Sequence, residues 1–370
     1  MNQQITMPGI QIGNIKTDIP VIQGGMGVGV SLSGLASAVS EQGGIGVIAA
    51  AGIGMMEPDY QKNFKKANEQ GLRREIRKAK TVTDRAVGVN IMVALSDYEK
   101  LLLTAVDEGA DIVFMGAGLP LKVPGILTPE RINKEALNIV PIVSSARAAD
   151  LILKSWCRKG CFPAALVVEG PKAGGHLGFK REELENPEFD LTKLLPPVIS
   201  TVARYEKQHH VSIPVIAAGG IYTGADIKSY LDIGAAGVQM ATRFVTTKEC
   251  DAAPNFKQSY IDADKKDMII IDSPVGLPGR AVNNRFLCDV AKGQKKPFRC
   301  SWKCLRTCNF KQVSYCIASA LTNAKLGKLD MGFVFGGANA YRAKAITTVK
   351  EVFDSLCAEY EEAVASAGAM

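Results

Sequence analysis

The chain has 370 residues, of which 47% are hydrophobic and 22% are charged. This balance is typical of a globular α/β enzyme and excludes a disordered or fibrous protein. Because α/β barrels routinely exceed about 200 residues as one domain, a barrel with one sizeable addition accounts for the length. The formal net charge is +7, but the Lys and Arg residues are spread along helix-like stretches such as 62–80, which indicates a solvated face. We therefore expect no binding of nucleic acid.

The start of the sequence, MNQQITMPGIQIG, contains no basic segment followed by an apolar core. No run of about 18 uninterrupted apolar residues occurs either, so no membrane association is predicted. We expect a cytoplasmic protein that acts on a small-molecule substrate, with a homodimer as a candidate assembly.

Eight short segments rich in β-branched residues recur through the first 250 residues. Each is largely apolar rather than alternating, as expected for strands of a parallel sheet that is covered on both faces. The predicted strands are Asp18–Gln23, Gly44–Ala50, Ala86–Val93, Ala110–Gly116, Ile139–Ser144, Ala164–Gly170, Pro214–Gly220 and Gly237–Arg243.

Seven segments between these strands have the pattern of amphipathic helices. The predicted helices are Leu32–Gln42, Asp59–Ala79, Ser96–Glu108, Pro129–Leu137, Ala146–Lys159, Leu191–Gln208 and Thr223–Ile233. Eight strands alternating with helices predict an α/β protein with a (β/α)8 TIM barrel, while an open doubly wound sheet remains the alternative. The barrel is favoured because the Gly, Asn, Ser and Glu residues of chemical interest fall at strand ends, on the catalytic face of such barrels.

The strand and helix alternation stops near residue 250. We predict a cofactor-binding (β/α)8 barrel over residues 1–250, a Cys-containing helical cap or substrate domain over 251–345, and a C-terminal helix over 346–370 that returns to the barrel. Apolar positions on one face of 347–363 indicate that this last helix returns to close the barrel.

Two loops predict a phosphate site. The segment IPVIAAGGI ends in Gly219 and Gly220, and GVQMATRF follows at the next strand end. Backbone amides exposed after strands 7 and 8 of a barrel commonly bind phosphate, and glycine allows close approach. The alternative is that these glycines only make tight turns between strand and helix.

His176 is the candidate catalytic residue. It lies in VVEGPKAGGHLGF at the end of the sixth strand, flanked by Gly174, Gly175 and Gly178, so its loop can approach a flat ring closely. An imidazole ionises near neutral pH without tuning, which suits acid-base chemistry. The alternative is a structural histidine in a flexible loop.

Five motifs in chain order carry a resemblance to a known family. They are VIQGGMG (21–27), GVNIMV (88–93), EGPKAGGHLG (169–178), VIAAGGI (215–221) and QMATRF (239–244). Together they resemble the nitronate monooxygenase, or 2-nitropropane dioxygenase-like, family, which includes the flavin-dependent enoyl-acyl-carrier-protein reductases of type II. Further similarity lies in SPVGLPGRA (273–281) and FGGANAYRAKAITTVKEV (335–352).

The resemblance implies an FMN-dependent oxidoreductase in which His176 acts on the substrate beside the flavin. The residues that would hold FMN are Gly24, Gly25, Met26, Asn90, Glu169, Gly174, Gly175, Gly219, Gly220, Gln239, Met240, Ala241 and Thr242. Two features depart from nitronate-oxidising members and look more like the enoyl reductase branch: Glu169, where those members often carry Gln, and MGAG at 115–118.

Three alternative functions follow from these observations. The first is oxidation of alkyl nitronates with O2. The second is reduction of an enoyl thioester or a quinone, with NADH or NADPH as the electron donor. The third is a barrel that binds FMN or a phosphorylated metabolite without turnover, which the glycine-flanked His176 argues against.

Four of the nine cysteines are clustered. Cys300, Cys304, Cys308 and Cys316 give the spacing C-x3-C-x3-C-x7-C. On a helix this spacing keeps three sulfurs along one face, whereas in a loop all four could converge on one centre. Four thiolates suit zinc or an iron-sulfur cluster, although the spacing matches none of the common patterns for either. The alternative is a thiol-rich helix packed on the barrel.

Overall fold

The computed structural model describes residues 6–122, 125, 131–132, 137–300 and 302–368. Eight parallel strands within these ranges form one sheet. They are β3 (Val21–Gln23), β4 (Gly46–Ala49), β5 (Val87–Met92), β6 (Ile112–Gly116), β7 (Asn138–Val143), β8 (Leu166–Glu169), β10 (Val215–Ala218) and β11 (Gly237–Met240). Each lies within a predicted strand or extends it by one residue, because a strand covered on both faces is apolar throughout.

The sheet closes on itself. Its strand order is β3-β11-β10-β8-β7-β6-β5-β4, and a parallel bridge between Ile22 and Ile45 joins the two ends of this order. Ile45 N donates to Val21 O at 3.0 Å and Gln23 N donates to Ile45 O at 2.9 Å. These bonds confirm the barrel and exclude the open sheet.

The lower half of the barrel is a packed apolar core. Residues of the barrel strands, among them Ile22, Val47, Phe114 and Val167, form one buried cluster. A two-stranded hairpin made of β1 (Gln11–Ile12) and β2 (Ile15–Lys16) adds Ile12 to this cluster. Apolar side chains therefore fill the amino-terminal half of the barrel, and the large cavity opens at the carboxyl ends of the strands.

Helices cover the outside of the barrel. They are α1 (Ser33–Glu41), α2 (Phe64–Val82), α3 (Tyr98–Asp107), α4 (Ala146–Cys157), α5 (Leu191–His209) and α6 (Gly224–Ile233). α2 begins five residues later than predicted because residues 57–62 form turns. The helix predicted at 129–137 lies mostly outside the described residues.

The barrel's last helix comes from the end of the sequence. After β11 the chain makes only the single turn α7 (Thr242–Val245), and α11 (Val349–Gly368) packs against α6 and α1. A Cβ atom added at Gly224 would lie 2.1 Å from the Leu356 carbonyl oxygen, so glycine permits this contact. α11 therefore takes the position of the eighth helix, as the sequence pattern predicts.

The region between α7 and α11 combines helices with a small sheet. Its helices are α8 (Pro254–Ile261), α9 (Arg285–Ala291) and α10 (Ile317–Lys325). An antiparallel hairpin of β12 (Met268–Asp272) and β13 (Pro278–Val282) pairs with β9 (Gly175–His176). This hairpin is not among the predicted elements, although the run MIIID followed by a Pro- and Gly-containing turn is a strand signal.

Across the ranges just given, the helices fall short of the length or apolarity that crossing a bilayer requires.

Candidate active site

One cavity of about 690 Å³ opens at the carboxyl ends of the barrel strands. His176 and all thirteen residues proposed to hold a cofactor line it. They come together because the carboxyl ends of parallel strands meet at one face of a barrel. The volume lies within the range of about 300–1,000 Å³ that small-molecule and cofactor sites occupy.

Backbone amides form a cradle at one end of the cavity, after β10 and β11. The amides of Gly219, Gly220 and Ala241 donate no hydrogen bond to any acceptor in the described part of the chain. Gly219 and Gly220 have φ of +97° and +87°, a region that side chains rarely adopt. Three unpaired N–H groups that border one cavity are suited to bind the oxygens of a phosphate.

The first turn of α6 is not part of this cradle. Asp226 Oδ2 accepts from the amides of Tyr222 and Thr223 at 2.9 Å each, and Glu359 Oε2 accepts from the Gly224 amide at 2.7 Å. The amides at this helix start are therefore satisfied by carboxylates of the chain itself. Phosphate binding would depend on the loop amides rather than on α6.

The turn after β3 packs tightly on the third barrel strand. Gly24 N donates to Met240 O at 2.8 Å, which fixes the turn to β11. A Cβ atom added at Gly25 would lie 2.4 Å from the Asn90 Cβ atom. Glycine at this position thus allows the turn and Asn90 to border the cavity together.

A segment far along the sequence covers the cradle. Asn339 Nδ2 donates to Gly220 O at 2.6 Å, and Ala338 N donates to Lys172 O at 3.0 Å. A Cβ atom added at Gly174 would lie 2.7 Å from the Gly336 carbonyl carbon. The family-like FGGAN run at 335–339 has no predicted role, although its paired glycines and Asn were a signal for one.

His176 is held by the cap. Its strand β9 pairs with β13, where Gly279 lies opposite His176, and Leu177 N donates to Pro278 O at 2.9 Å. The His176 Nε2 atom and the Ser273 hydroxyl share a hydrogen bond of 2.7 Å, and the imidazole packs edge-on against Phe335 at 5.0 Å between ring centroids. Burial lowers the pKa of His176 to about 4. The imidazole is therefore neutral at physiological pH.

Glu169, at the end of β8, is another titratable group that lines the same cavity as His176. Burial raises the pKa of its carboxyl to about 7, and the carboxyl has no hydrogen bond or ion pair to any described residue. Lys172 also lines the cavity, but its Nζ atom pairs with Asp190 Oδ2 at 2.6 Å. Burial disfavours the charged form of both groups, so near pH 7 the His176 imidazole is neutral and the Glu169 carboxyl is about half protonated.

This shift predicts a pH-dependent effect of Glu169→Gln on the flavin-free protein. The folded-state pKa of Glu169 is raised, so its contribution to stability is complete below its unfolded pKa near 4.5 and is lost as pH rises through about 7. We expect the free energy of urea unfolding of the wild type to fall relative to Glu169→Gln between pH 5 and pH 8. The exposed substitution Glu182→Gln serves as control and should show no such divergence. Parallel pH profiles for wild type and Glu169→Gln would contradict the shift.

The four clustered cysteines lie in irregular backbone and not on one helix. Cys300, Cys304 and Cys308 belong to the loop before α10, and Cys316 is the residue at the start of that helix. All four are free thiols and line one small void, separate from the large cavity. No three His, Cys, Asp or Glu side chains in the part of the chain described here are grouped as ligands of a single metal ion.

A closed (β/α)8 barrel with a glycine-rich amide cradle at its catalytic face defines the class of enzyme that binds a phosphorylated cofactor or substrate there. Within that class the chain belongs to the nitronate monooxygenase family, which it matches over residues 10–359. The family is one of oxidoreductases, and its members are generally flavin enzymes.

Individual relatives carry different names. The chain is 26% identical over 307 residues to a probable nitronate monooxygenase of Staphylococcus aureus, with 75% of this chain and 79% of the relative covered. It is 28% identical over 281 residues to the (3aS,4S,5R,7aS)-5-hydroxy-7a-methyl-1-oxo-octahydro-1H-indene-4-carboxyl-CoA dehydrogenase of Mycobacterium tuberculosis, with 76% of this chain and 68% of the relative covered.

Solved structures agree with the barrel. FabK from Thermotoga maritima superposes with a TM-score of 0.74 at 26% identity, covering 95% of this chain and 96% of FabK. A nitroalkane oxidase from Streptomyces ansochromogenes superposes with a TM-score of 0.71 at 22% identity, covering 95% and 98% of the two chains. The second likeness concerns the fold alone.

Proposed function

We propose that this protein is an FMN-dependent oxidoreductase. The observation that carries the proposal is the cradle of unpaired amides at Gly219, Gly220 and Ala241, which borders a cavity large enough for a flavin mononucleotide. A single phosphate cradle fits FMN, and the sequence has no G-x-G-x-x-G unit between a strand and a helix for a dinucleotide. When bound, FMN would supply electron transfer at its ring, while the protein supplies position and electrostatics.

Some residues of the site would bind the cofactor, and others would orient the His176 ring. The cradle amides would bind the phosphate, and the turn at Gly24–Met26 with Asn90 would border the ring, where glycine leaves room for a flat group. His176 would face the substrate as a neutral imidazole, able to donate one hydrogen bond or to accept a proton. The cap hairpin and Ser273 would keep its ring orientation.

The first candidate reaction is oxidation of an alkyl nitronate with O2. It is supported by membership of the nitronate monooxygenase family and by the name of the Staphylococcus aureus relative. In this reaction His176 would hold the nitro group or take a proton from the substrate.

The second candidate reaction is reduction of an enoyl thioester, with NADH or NADPH as electron donor. The electrostatics of the cavity favour it, because the neutral His176 supplies no positive charge and the Glu169 carboxyl is partly ionised near pH 7. An anionic nitronate would therefore lose more solvation there than a neutral substrate does. Two relatives support it as well: FabK is an enoyl-acyl-carrier-protein reductase II, and the Mycobacterium tuberculosis relative is named for a carboxyl-CoA substrate.

The purified protein should be yellow and should release FMN, not FAD, on denaturation. The reason is that one cradle can hold one phosphate group, whereas FAD would need a second phosphate site and room for an adenosine. Chromatography of the flavin released by acid or heat identifies it. A colourless protein that takes up no added FMN would overturn the proposed cofactor.

The reaction itself is tested by anaerobic mixing of the flavin-loaded protein with one electron donor at a time. Bleaching of the flavin band by an alkyl nitronate, and recovery of the band on admission of O2, would support nitronate oxidation. Bleaching by NADH or NADPH, with recovery on addition of an enoyl thioester, would support the reductase. A flavin band that none of these donors bleaches would favour a barrel that binds FMN without turnover.

A further inference from the structure

The four clustered cysteines surround one void beside the barrel. Cys300, Cys304, Cys308 and Cys316 all line this void of about 20 Å³, together with Phe298 and Ile317. They approach from two directions, since the first three lie in the loop after α9 and the fourth begins α10. Their convergence is therefore a property of the tertiary fold and not only of close spacing in the sequence.

We propose that Cys300, Cys304, Cys308 and Cys316 hold an iron-sulfur cluster. Four cysteine thiolates are the ligand set of both [2Fe–2S] and [4Fe–4S] clusters. Around a single zinc ion the four sulfurs would lie about 2.3 Å from one point. Among the described residues no three such side chains are grouped closely enough to bind one ion, whereas the four thiols do surround one shared void, as ligands of separate iron atoms in one cluster would.

The charges around the cysteines support a negatively charged centre. Between residues 292 and 316 the sequence has seven Lys and Arg residues and no Asp or Glu. Positive charges favour thiolates and offset the charge of a four-thiolate cluster.

The loop that carries the cysteines is firmly attached to the barrel. Trp302 stacks on Phe64 of α2 with 5.4 Å between ring centroids. Cys304 O accepts from Ser96 N at 3.0 Å, and Arg306 N donates to Ala94 O at 2.9 Å. These contacts fix the loop although residues 292–316 contain little regular secondary structure.

One backbone conformation within the loop is strained. Lys303 has φ of +48°, which is uncommon for a residue other than glycine. It directly precedes Cys304, so the left-handed turn lies between the first two cysteines. Such strain persists where surrounding structure enforces it, and it is frequent at ligand sites.

The proposed cluster lies near the rim of the large cavity. Leu321 of α10 lines that cavity, five residues after Cys316 on the same helix. At 1.5 Å per residue this is a rise of about 7.5 Å along the helix axis. A loop with few strands or helices would also gain stability from the cluster, because binding to a site that is absent in the unfolded chain contributes directly to folding.

The test is elemental analysis of full-length protein purified without oxygen, measured independently of its flavin. We expect at least about two iron atoms and an equal amount of acid-labile sulfide per chain, with a visible absorption that persists after the flavin is removed. Iron far below one equivalent would overturn the proposal. One equivalent of zinc without iron would overturn it as well, in favour of a mononuclear site.

Two matched variants separate ligands from other cysteines. Cys304→Ser should lose most of the iron and sulfide. Cys288→Ser should keep both, because the Cys288 thiol contacts Asn283 Oδ1 at 3.5 Å and is not part of the void lining. Circular dichroism reports whether each variant folds. If Cys304→Ser fails to fold, the iron and sulfide content of the wild type decides the matter alone; equal iron in both folded variants would exclude Cys304 as a ligand.

Discussion

His176→Ala should bind FMN as the wild type does but turn over ~10² to ~10⁴-fold more slowly, the range that a positioned acid-base group contributes. The imidazole lies at the cavity but is held by the cap hairpin and Ser273, not by the cradle. Removing it therefore leaves the phosphate site intact. The measurement is turnover with the donor identified by anaerobic bleaching, together with flavin content from the visible spectrum.

Ser273→Ala should reduce turnover less than His176→Ala does. The Ser273 hydroxyl hydrogen-bonds to His176 and is not part of the cavity lining, so it acts through the imidazole as a positioning residue. A hydrogen bond between neutral groups contributes only about 1 kcal/mol, so we expect a loss of less than about tenfold. If the turnover of His176→Ala lay within about tenfold of the wild-type turnover, His176 would instead have a structural role.

Gly219→Ala should lose FMN affinity by about 5- to 150-fold. Gly219 has φ of +97°, and an added Cβ atom would lie 2.8 Å from the Gly170 carbonyl oxygen. Backbone strain of this kind costs about 1–3 kcal/mol, and each 1.4 kcal/mol is about a factor of ten in affinity. The strain falls on the loop whose amides form the cradle, so it is relieved by moving those amides. Fluorescence titration of flavin-free protein with FMN gives the dissociation constant.

Gly160→Ala controls for the general cost of alanine in a left-handed conformation. Gly160 has φ of +67°, its added Cβ atom would meet nothing within 4 Å, and it follows α4 away from the cavity. This variant should be less stable than the wild type yet bind FMN with unchanged affinity. If both glycine variants bound FMN equally well, the amides after β10 would not form the phosphate site.

The barrel and the cavity lining were predictable because both leave local signals. Strands buried on both faces are continuous apolar runs, and polar or glycine residues at their carboxyl ends must meet at one face. That reasoning places His176, Glu169 and the Gly219–Gly220 turn in one cavity without any knowledge of tertiary contacts. The bounds of the strands follow from the same runs.

The residues that hold the site in place were not predictable, because each depends on contacts between distant parts of the chain. Ser273 hydrogen-bonds to a residue 97 positions earlier, and Asn339 to one 119 positions earlier. Ser and Asn are common in loops, so neither has a pattern that indicates its partner. The neutral state of His176 also depends on burial by the cap, whereas composition suggests an ordinary imidazole.

The position of α11 as the eighth helix has a consequence for how the protein is made. Residues 241–368, 128 in all, must be translated after β11 before α11 can reach α1 and α6. At about 5–20 residues per second this takes roughly 6–25 s. During that time the surface that later receives Phe353 and Leu356, both buried in the finished protein, is uncovered on the ribosome. The nascent barrel thus exposes apolar surface to solvent until α11 has been translated and has packed against α1 and α6.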